Sequence, residues 1–241
     1  MKMPPQVLST RENGKICAFW GIGIRLFLLP PALGVHNLQT IMKSLLTTYK
    51  IDGQNAMGIN VPAKYCDDVA DLDQNFLSQD NDVEKVKNEL NLPDRIYNGA
   101  ELIVAKPKQI PGSQFNLHSE YLLLINSNSK TLAHLDPLMQ NLLSKSKTGC
   151  GIFFTKNSPC VKTCSKPGGR YSIIPALEMF DQHKGPKAFV FSQVWKHDED
   201  KPEWEVNLSE INKHIPVFRC DRTNCVRCVE NNVINIRCKK N

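Results

Sequence analysis

The sequence predicts a three-layer α/β/α sandwich, with helices on both faces of a central sheet. Short β-type runs alternate with segments of helical period between residues 36 and 214, the pattern that places strands between covering helices. The apolar share of 41% is enough for a buried core, and a net charge of +6 over 241 residues is too small to keep the chain disordered. The length suits one domain with extensions. No 20–50-residue repeat occurs, which excludes a solenoid, and a single long apolar stretch excludes a multispan membrane protein.

That stretch, residues 16–35, is broken by Arg25 and by Pro30-Pro31. Split at Arg25, it has the parts of a signal peptide: basic Arg11, Lys15 and Arg25, an apolar run from Leu26 to Leu33, and the small pair Ala32 and Gly34 before Val35. Residues 1–34 are therefore read as a signal peptide or an apolar extension. Residues 35–215 are read as the folded domain, and 216–241 as a basic, cysteine-rich tail.

Within the domain, Leu38, Ile41, Leu45 and Leu46 have helical spacing over residues 36–50. Residues 54–62 read as a strand ended by Pro62. Eight acidic residues crowd positions 67–90, a loop that gives way to a helix from Asp82 with Val83, Val86 and Leu90 on one face. Residues 101–106 form the next strand, and FNLHSEYLLLIN a largely buried helix entered near Leu117 or His118. An insertion is expected within 126–148. Residues 150–155 form a dense strand followed by Pro159, which suits a helix start at Cys160. A helix over 171–183, a strand over 187–195 and a short helix over 208–214, capped by Asn207, complete the alternation.

Two fragments carry chemistry. His118-Ser119-Glu120 opens one helix, and Pro159-Cys160 with Cys164 opens another directly after a strand. A catalytic zinc takes three protein ligands and keeps one position open. His118, Cys160 and Cys164 meet that requirement, since cysteines at i and i+4 share one helix face. A helix N-terminus there would also favour their thiolate forms. Glu120, two residues from His118, can lie beside the ion and move protons. The bland alternative is a core histidine and two buried thiols.

The H-x-E and P-C-x-x-x-C motifs are similar to the signature of zinc-dependent nucleobase deaminases. Ile152-Phe-Phe-Thr-Lys-Asn-Ser-Pro-Cys resembles the strand and S-P-C loop of AID/APOBEC cytidine deaminases, and His118-Ser-Glu-Tyr-Leu-Leu-Leu resembles their H-x-E helix. With its cysteine load and signal-like N-terminus, the chain most resembles the secreted novel AID/APOBEC-like branch. The resemblance implies the cytidine-deaminase type of sandwich, with a central five-stranded mixed sheet. It implies His118, Cys160 and Cys164 as zinc ligands, Glu120 as proton shuttle, and an immune setting. The cysteine spacing departs from the family's x₂, and the tryptophan common just before S-P-C is replaced by Lys156.

The tail offers Cys220, Cys225, Cys228 and Cys238, which can form a second, closed zinc site or two disulfides. Of the nine cysteines, Cys17 would leave with a signal peptide; two for zinc then leave six for three disulfides, and this even count favours the disulfide reading. Residues 213–241 hold seven Lys/Arg against Asp221 and Glu230, a net of +5, which could follow a phosphate backbone or be a solvated terminus. A lone sequon, Asn207-Leu208-Ser209, adds to the case for export.

The function expected is hydrolytic deamination of cytosine to uracil, with single-stranded DNA or RNA as substrate, because a base must leave the stack to reach the site. Tyr121, Asn157 and Ser158 are candidate substrate contacts. The alternatives are a free cytidine or nucleotide deaminase, and a non-enzymatic zinc-stabilised module that binds nucleic acid or a microbial surface. The expected location is outside the cell, with the cytoplasm as the alternative, and no stable membrane span is expected.

Overall fold

The computed structural model describes residues 35–67, 71–126, 137–221 and 223–239. The segment read as a signal peptide lies outside the described residues. Helix α1 (Leu38–Tyr49) leads into strand β1 (Ala56–Val61), and α2 (Val83–Asn91) precedes β2 (Ile96–Asn98) and β3 (Leu102–Ala105). Asp82 caps α2 by accepting the Lys85 N–H at 2.9 Å. A short ribbon of β4 (Lys108–Gln109) and β5 (Asn116–Leu117) delivers α3 (Ser119–Leu124). Then come α4 (Leu138–Lys145), β6 (Cys150–Asn157), a 3₁₀ turn at Ile174–Leu177 running into α5 (Glu178–Gln182), β7 (Lys187–Gln193), α6 (Glu203–His214) and β8 (Val217–Cys220). Strand β9 (Cys225–Arg227) and the ribbon of β10 (Val229–Glu230) and β11 (Val233–Ile234) follow.

Seven of these strands form one mixed sheet in the order β2-β3-β1-β6-β7-β8-β9. Strand β1 runs antiparallel to both β3 and β6, whereas β6, β7 and β8 are parallel. Parallel neighbours need a crossover connection, which α5 and α6 supply. The period-two alternation of β6 sorts the layers. Ile152 and Phe154 pack with Ile41, Met42 and Leu45 of α1 and with Leu90 of α2. Phe153 faces the other way, among Leu123 of α3, Leu142 of α4, Phe180 of α5 and Leu208 of α6. The α/β/α sandwich is therefore as expected.

The sheet is larger than the five strands anticipated. Strand β2 is only three residues long, too short to carry a periodicity. Strands β8 and β9 come from the segment read as a tail; β8 pairs with β7, and β9 folds back on β8. Part of the expected insertion is also a core element. Met139, Leu142 and Leu143 of α4 are buried at i, i+3 and i+4. The Asn60 amide donates to the carbonyls of Leu142 and Ser146 at 2.8 and 3.1 Å, satisfying the end of that helix.

Two polar residues turn out to be internal. Asp80, counted above in an acidic loop, is buried; its carboxylate accepts from the Tyr97 hydroxyl at 2.7 Å and from the N–H groups of Ala100, Glu101 and Leu102. Helix α6 starts five residues before the expected boundary, so Asn207 is not its cap but lies inside it, on a buried face with Trp204, Leu208 and Ile211. A polar residue in the apolar stripe had masked the helix period.

Among the described residues three disulfides form: Cys66–Cys150, Cys220–Cys225 and Cys228–Cys238. The tail cysteines thus pair with one another, which leaves none of the four as a free thiol for a closed zinc site. Two of the tail's cations act as braces. Arg219 donates to the carbonyls of Ser192 and Cys238, and Lys239 meets Glu205 at 2.7 Å. No helix among the described residues is long and apolar enough to cross a membrane.

Candidate metal centre

The site forms where α3 begins against the C-terminal ends of the parallel strands β6 and β7. His118 has extended backbone (φ −74°, ψ 151°) and occupies the N-cap of α3, with Leu122 N–H bonding to its carbonyl at 3.2 Å. Leu122, Leu123 and Leu124 are all buried, which anchors this six-residue helix in the core. It was entered where the sequence indicated.

The second fragment departs from expectation. Residues 161–165 form a tight turn rather than a helix, and Ser165 N–H reaches back to the Cys160 carbonyl at 3.1 Å. Pro167, which has no N–H, and Gly168, at φ +68°, prevent a helix from propagating. The turn nevertheless brings both thiols to the imidazole. Cys164 Sγ lies 3.0 Å from His118 Nδ1, and Cys160 Sγ 3.5 Å from the same atom. All three donor atoms fall within 4.8 Å of one another.

With no helix dipole at the turn, thiolate character comes from local hydrogen bonds. The Cys160 group is pushed down by the hydrogen bond from Cys164 and by His118, while Cys164 is pushed up by that same bond and by burial. The Thr163 hydroxyl also contacts Cys160 Sγ. The hydrogen bond to Cys160 and the Glu120 charge raise the His118 imidazole. Glu120 is only 2% exposed, and burial pushes its carboxyl upward. Its Oε1 accepts from Thr155 Oγ1 at 2.8 Å, and its Oε2 from Ser119 Oγ at 3.1 Å.

A chamber of about 180 Å³ opens over this group, lined by His118, Glu120 and Cys160 with Gln54, Asn157 and Trp195. Ser158 also lines it, but its hydroxyl is engaged, accepting from Trp195 N–H and Trp204 Nε1–H at 3.2 and 3.1 Å. Asn157 Oδ1 accepts from Gln193 Nε2 at 2.8 Å. Tyr121 lies elsewhere. It packs edge-on against Tyr171, with centroids 5.7 Å apart, and lines a separate cavity of about 590 Å³ that touches His118 and Cys164 but not Glu120. The largest cavity described, about 880 Å³, lies beside the chamber and shares Gln54, Pro107 and Asn116 with it.

The donor set fits zinc. One imidazole and two thiols converge, and a tetrahedral ion with metal–ligand bonds of ~2.0–2.3 Å sets its ligand atoms roughly 3.5–3.8 Å apart. Cys160 and Cys164 are also the only described cysteines outside a disulfide.

A family model for Secreted Novel AID/APOBEC-like Deaminase 1 matches residues 36–241. The chain belongs to that family. No curated protein and no solved structure matched it. The Secreted Novel AID/APOBEC-like Deaminase 1 match takes in the disulfide-bonded tail as well as the sheet, and it makes the chain a deaminase in general class. Three disulfides accord with the word "secreted" in the family's name.

Gln54, Thr155, Thr163 and Trp195 were not among the site residues expected from the sequence. Thr155 could have been found by alternation, since it lies two residues from Phe153 and so shares its face. Nothing in the sequence pointed to Gln54, which approaches from the loop before β1.

Proposed function

We propose that the chain hydrolyses cytosine to uracil and ammonia within single-stranded DNA or RNA, at a zinc ion held by His118, Cys160 and Cys164. One observation carries this reading. The Glu120 carboxylate, buried and held by Thr155 and Ser119, lines the same small chamber as His118 and Cys160, two of the three converging donors. A structural zinc needs neither an open chamber nor a carboxylate beside it.

When bound, the ion supplies Lewis acidity and lowers the pKa of a water. Glu120 does the proton work. It takes a proton from the attacking water and delivers one to the amine leaving C4, and burial pushes its carboxyl upward, favouring the protonated form that it must pass through to donate. Trp195 offers a flat wall to the pyrimidine ring, and Asn157 offers amide groups to its edge. The chamber takes one ring, so a base would have to be unstacked from its neighbours to enter.

The test is to incubate zinc-loaded protein with cytosine-containing single-stranded DNA, single-stranded RNA and free cytidine, and to measure uracil or uridine by mass spectrometry. Conversion of a polynucleotide that is lost in Glu120→Gln is the expected result. Conversion of free cytidine alone replaces the polynucleotide by a small substrate. No conversion of any of the three overturns the reading.

A further inference from the structure

The turn that carries both thiols has no regular ladder of its own, and its hold comes from a different part of the chain. Val161, directly after Cys160, is gripped on both sides of its backbone. Its N–H donates to Asp198 Oδ2 at 2.8 Å, and its carbonyl accepts from Asn207 Nδ2 at 3.4 Å. Asn207 Nδ2 also donates to Ser165 Oγ at 3.2 Å, and Ser165 Oγ bonds back to the carbonyls of Pro159 and Cys160, each at 3.2 Å.

Asp198 is 0% exposed, and its other oxygen pairs with the Lys201 ammonium. A buried carboxylate is costly unless every lone pair is used, and one near two thiols is unfavourable for their charge as well. Its presence therefore calls for a function that an apolar residue could not perform. Asn207 raises the same question, because it occupies a core position of α6 that the helix period reserves for an apolar side chain. Both residues answer it at one place, the backbone between the two cysteines.

We propose that Asp198 and Asn207 are positioning residues for the metal site, fixing the 160–165 turn so that Cys160 and Cys164 converge on His118 before metal arrives. This rests on the zinc reading above. Residues that orient ligands from behind set affinity through preorganisation, and their loss costs ~10–100-fold in metal binding.

The experiment measures zinc affinity of the full chain by competition with a chromophoric chelator, beside the thermal unfolding of the metal-free proteins. Asp198→Ala and Asn207→Leu are expected to weaken zinc by about 10–100-fold while metal-free unfolding stays cooperative. In the cobalt(II) forms, the thiolate-to-metal charge-transfer band should weaken, which a purely structural loss of stability would not cause. The double variant Asp198→Asn/Lys201→Met keeps an oxygen acceptor for Val161 and removes the stranded ammonium. It should bind within about threefold of the wild type, whether or not Asp198→Ala folds. Wild-type affinity and an unchanged cobalt band in both Asp198→Ala and Asn207→Leu overturn the proposal, as does failure of the double variant to bind. A wild type that takes up no zinc overturns the metal reading itself, a distinct and earlier failure.

Discussion

The Thr155 hydroxyl of β6 donates to Glu120 Oε1 of α3 at 2.8 Å, and in turn accepts from Gln54 Nε2 at 3.2 Å. The chain of bonds runs from the loop before β1, through the C-terminal part of the central strand β6, to the carboxylate. Thr155 is fully buried, so its hydroxyl would be expensive there without both partners. It aims one carboxylate oxygen and leaves Glu120 facing the chamber.

Thr155→Val keeps the side-chain shape and removes that donor. On the proposed mechanism, turnover should fall about 10–100-fold, the equivalent of ~1.5–3 kcal/mol for a hydrogen bond to a charged group. Thr155→Ser should restore most of it, with zinc content unchanged in both. Equal kcat values for the wild type and Thr155→Val in the uracil assay would remove Thr155 from the site's machinery.

Glu120→Gln should abolish deamination without releasing zinc. Glutamine preserves volume and hydrogen bonding but carries no proton, and loss of a general acid–base group costs ~10²–10⁴ in rate. Cys160→Ala should instead lose metal and activity together. Metal analysis run alongside the assay separates the two, and zinc loss in Glu120→Gln would contradict the division of labour.

The converging donors His118, Cys160 and Cys164 and the start of α3 were legible in the sequence because residue type and spacing are themselves chemical constraints. The turn at Cys160 was not, because Pro159 looked like a helix start while the breakers Pro167 and Gly168 lay farther on. The small strands β2 and β9 were equally hidden, being too short to show alternation. Asp80 and Asn207 misled for one common reason. A polar side chain reads as solvent-facing, and only the fold reveals the backbone donors and acceptors that make burial tolerable.

The Cys66–Cys150 bond spans 84 residues and ties the loop after β1 to the start of β6, whereas the tail bonds span 5 and 10. On the chain-entropy account the long loop contributes about 4–5 kcal/mol and each short one roughly 2–3 kcal/mol. Cys66→Ser/Cys150→Ser should therefore lower the denaturation midpoint most of the three paired variants. A larger drop for either tail pair would reverse the order.

His183 donates through Nε2 to the Gly149 carbonyl at 2.8 Å, and its buried Nδ1 has no hydrogen-bond partner among the described residues. Burial, with the Lys187 ammonium nearby, holds its pKa below the ordinary 6.5. The unfolded chain thus takes up the proton first as pH falls. The stability tied to neutral His183 is complete above about pH 6.5 and declines as pH drops toward the lower folded value. His183→Gln should flatten this part of the profile, measured as urea midpoints between about pH 7.5 and 5. An unchanged slope would assign the acid sensitivity to other groups.

Asn207 lies in the sequon Asn207-Leu208-Ser209, which the sequence offered in support of export, yet the folded chain leaves no room for a glycan there. Asn207 is 5% exposed, and its Nδ2, the atom a glycan would occupy, donates to Val161 O and Ser165 Oγ. Attachment would break both contacts and displace the turn that carries Cys160 and Cys164. Chain made through a secretory pathway should therefore carry no N-glycan at this position, and an N-glycosidase should leave its intact mass unchanged. Ser209→Ala destroys the sequon while sparing Asn207, and removes only a hydroxyl bonded to the Glu205 carbonyl within α6. Its yield and mass, apart from the missing oxygen, should match the wild type. A glycosidase-sensitive mass that disappears in Ser209→Ala would show that Asn207 is modified and that the 160–165 turn tolerates its release.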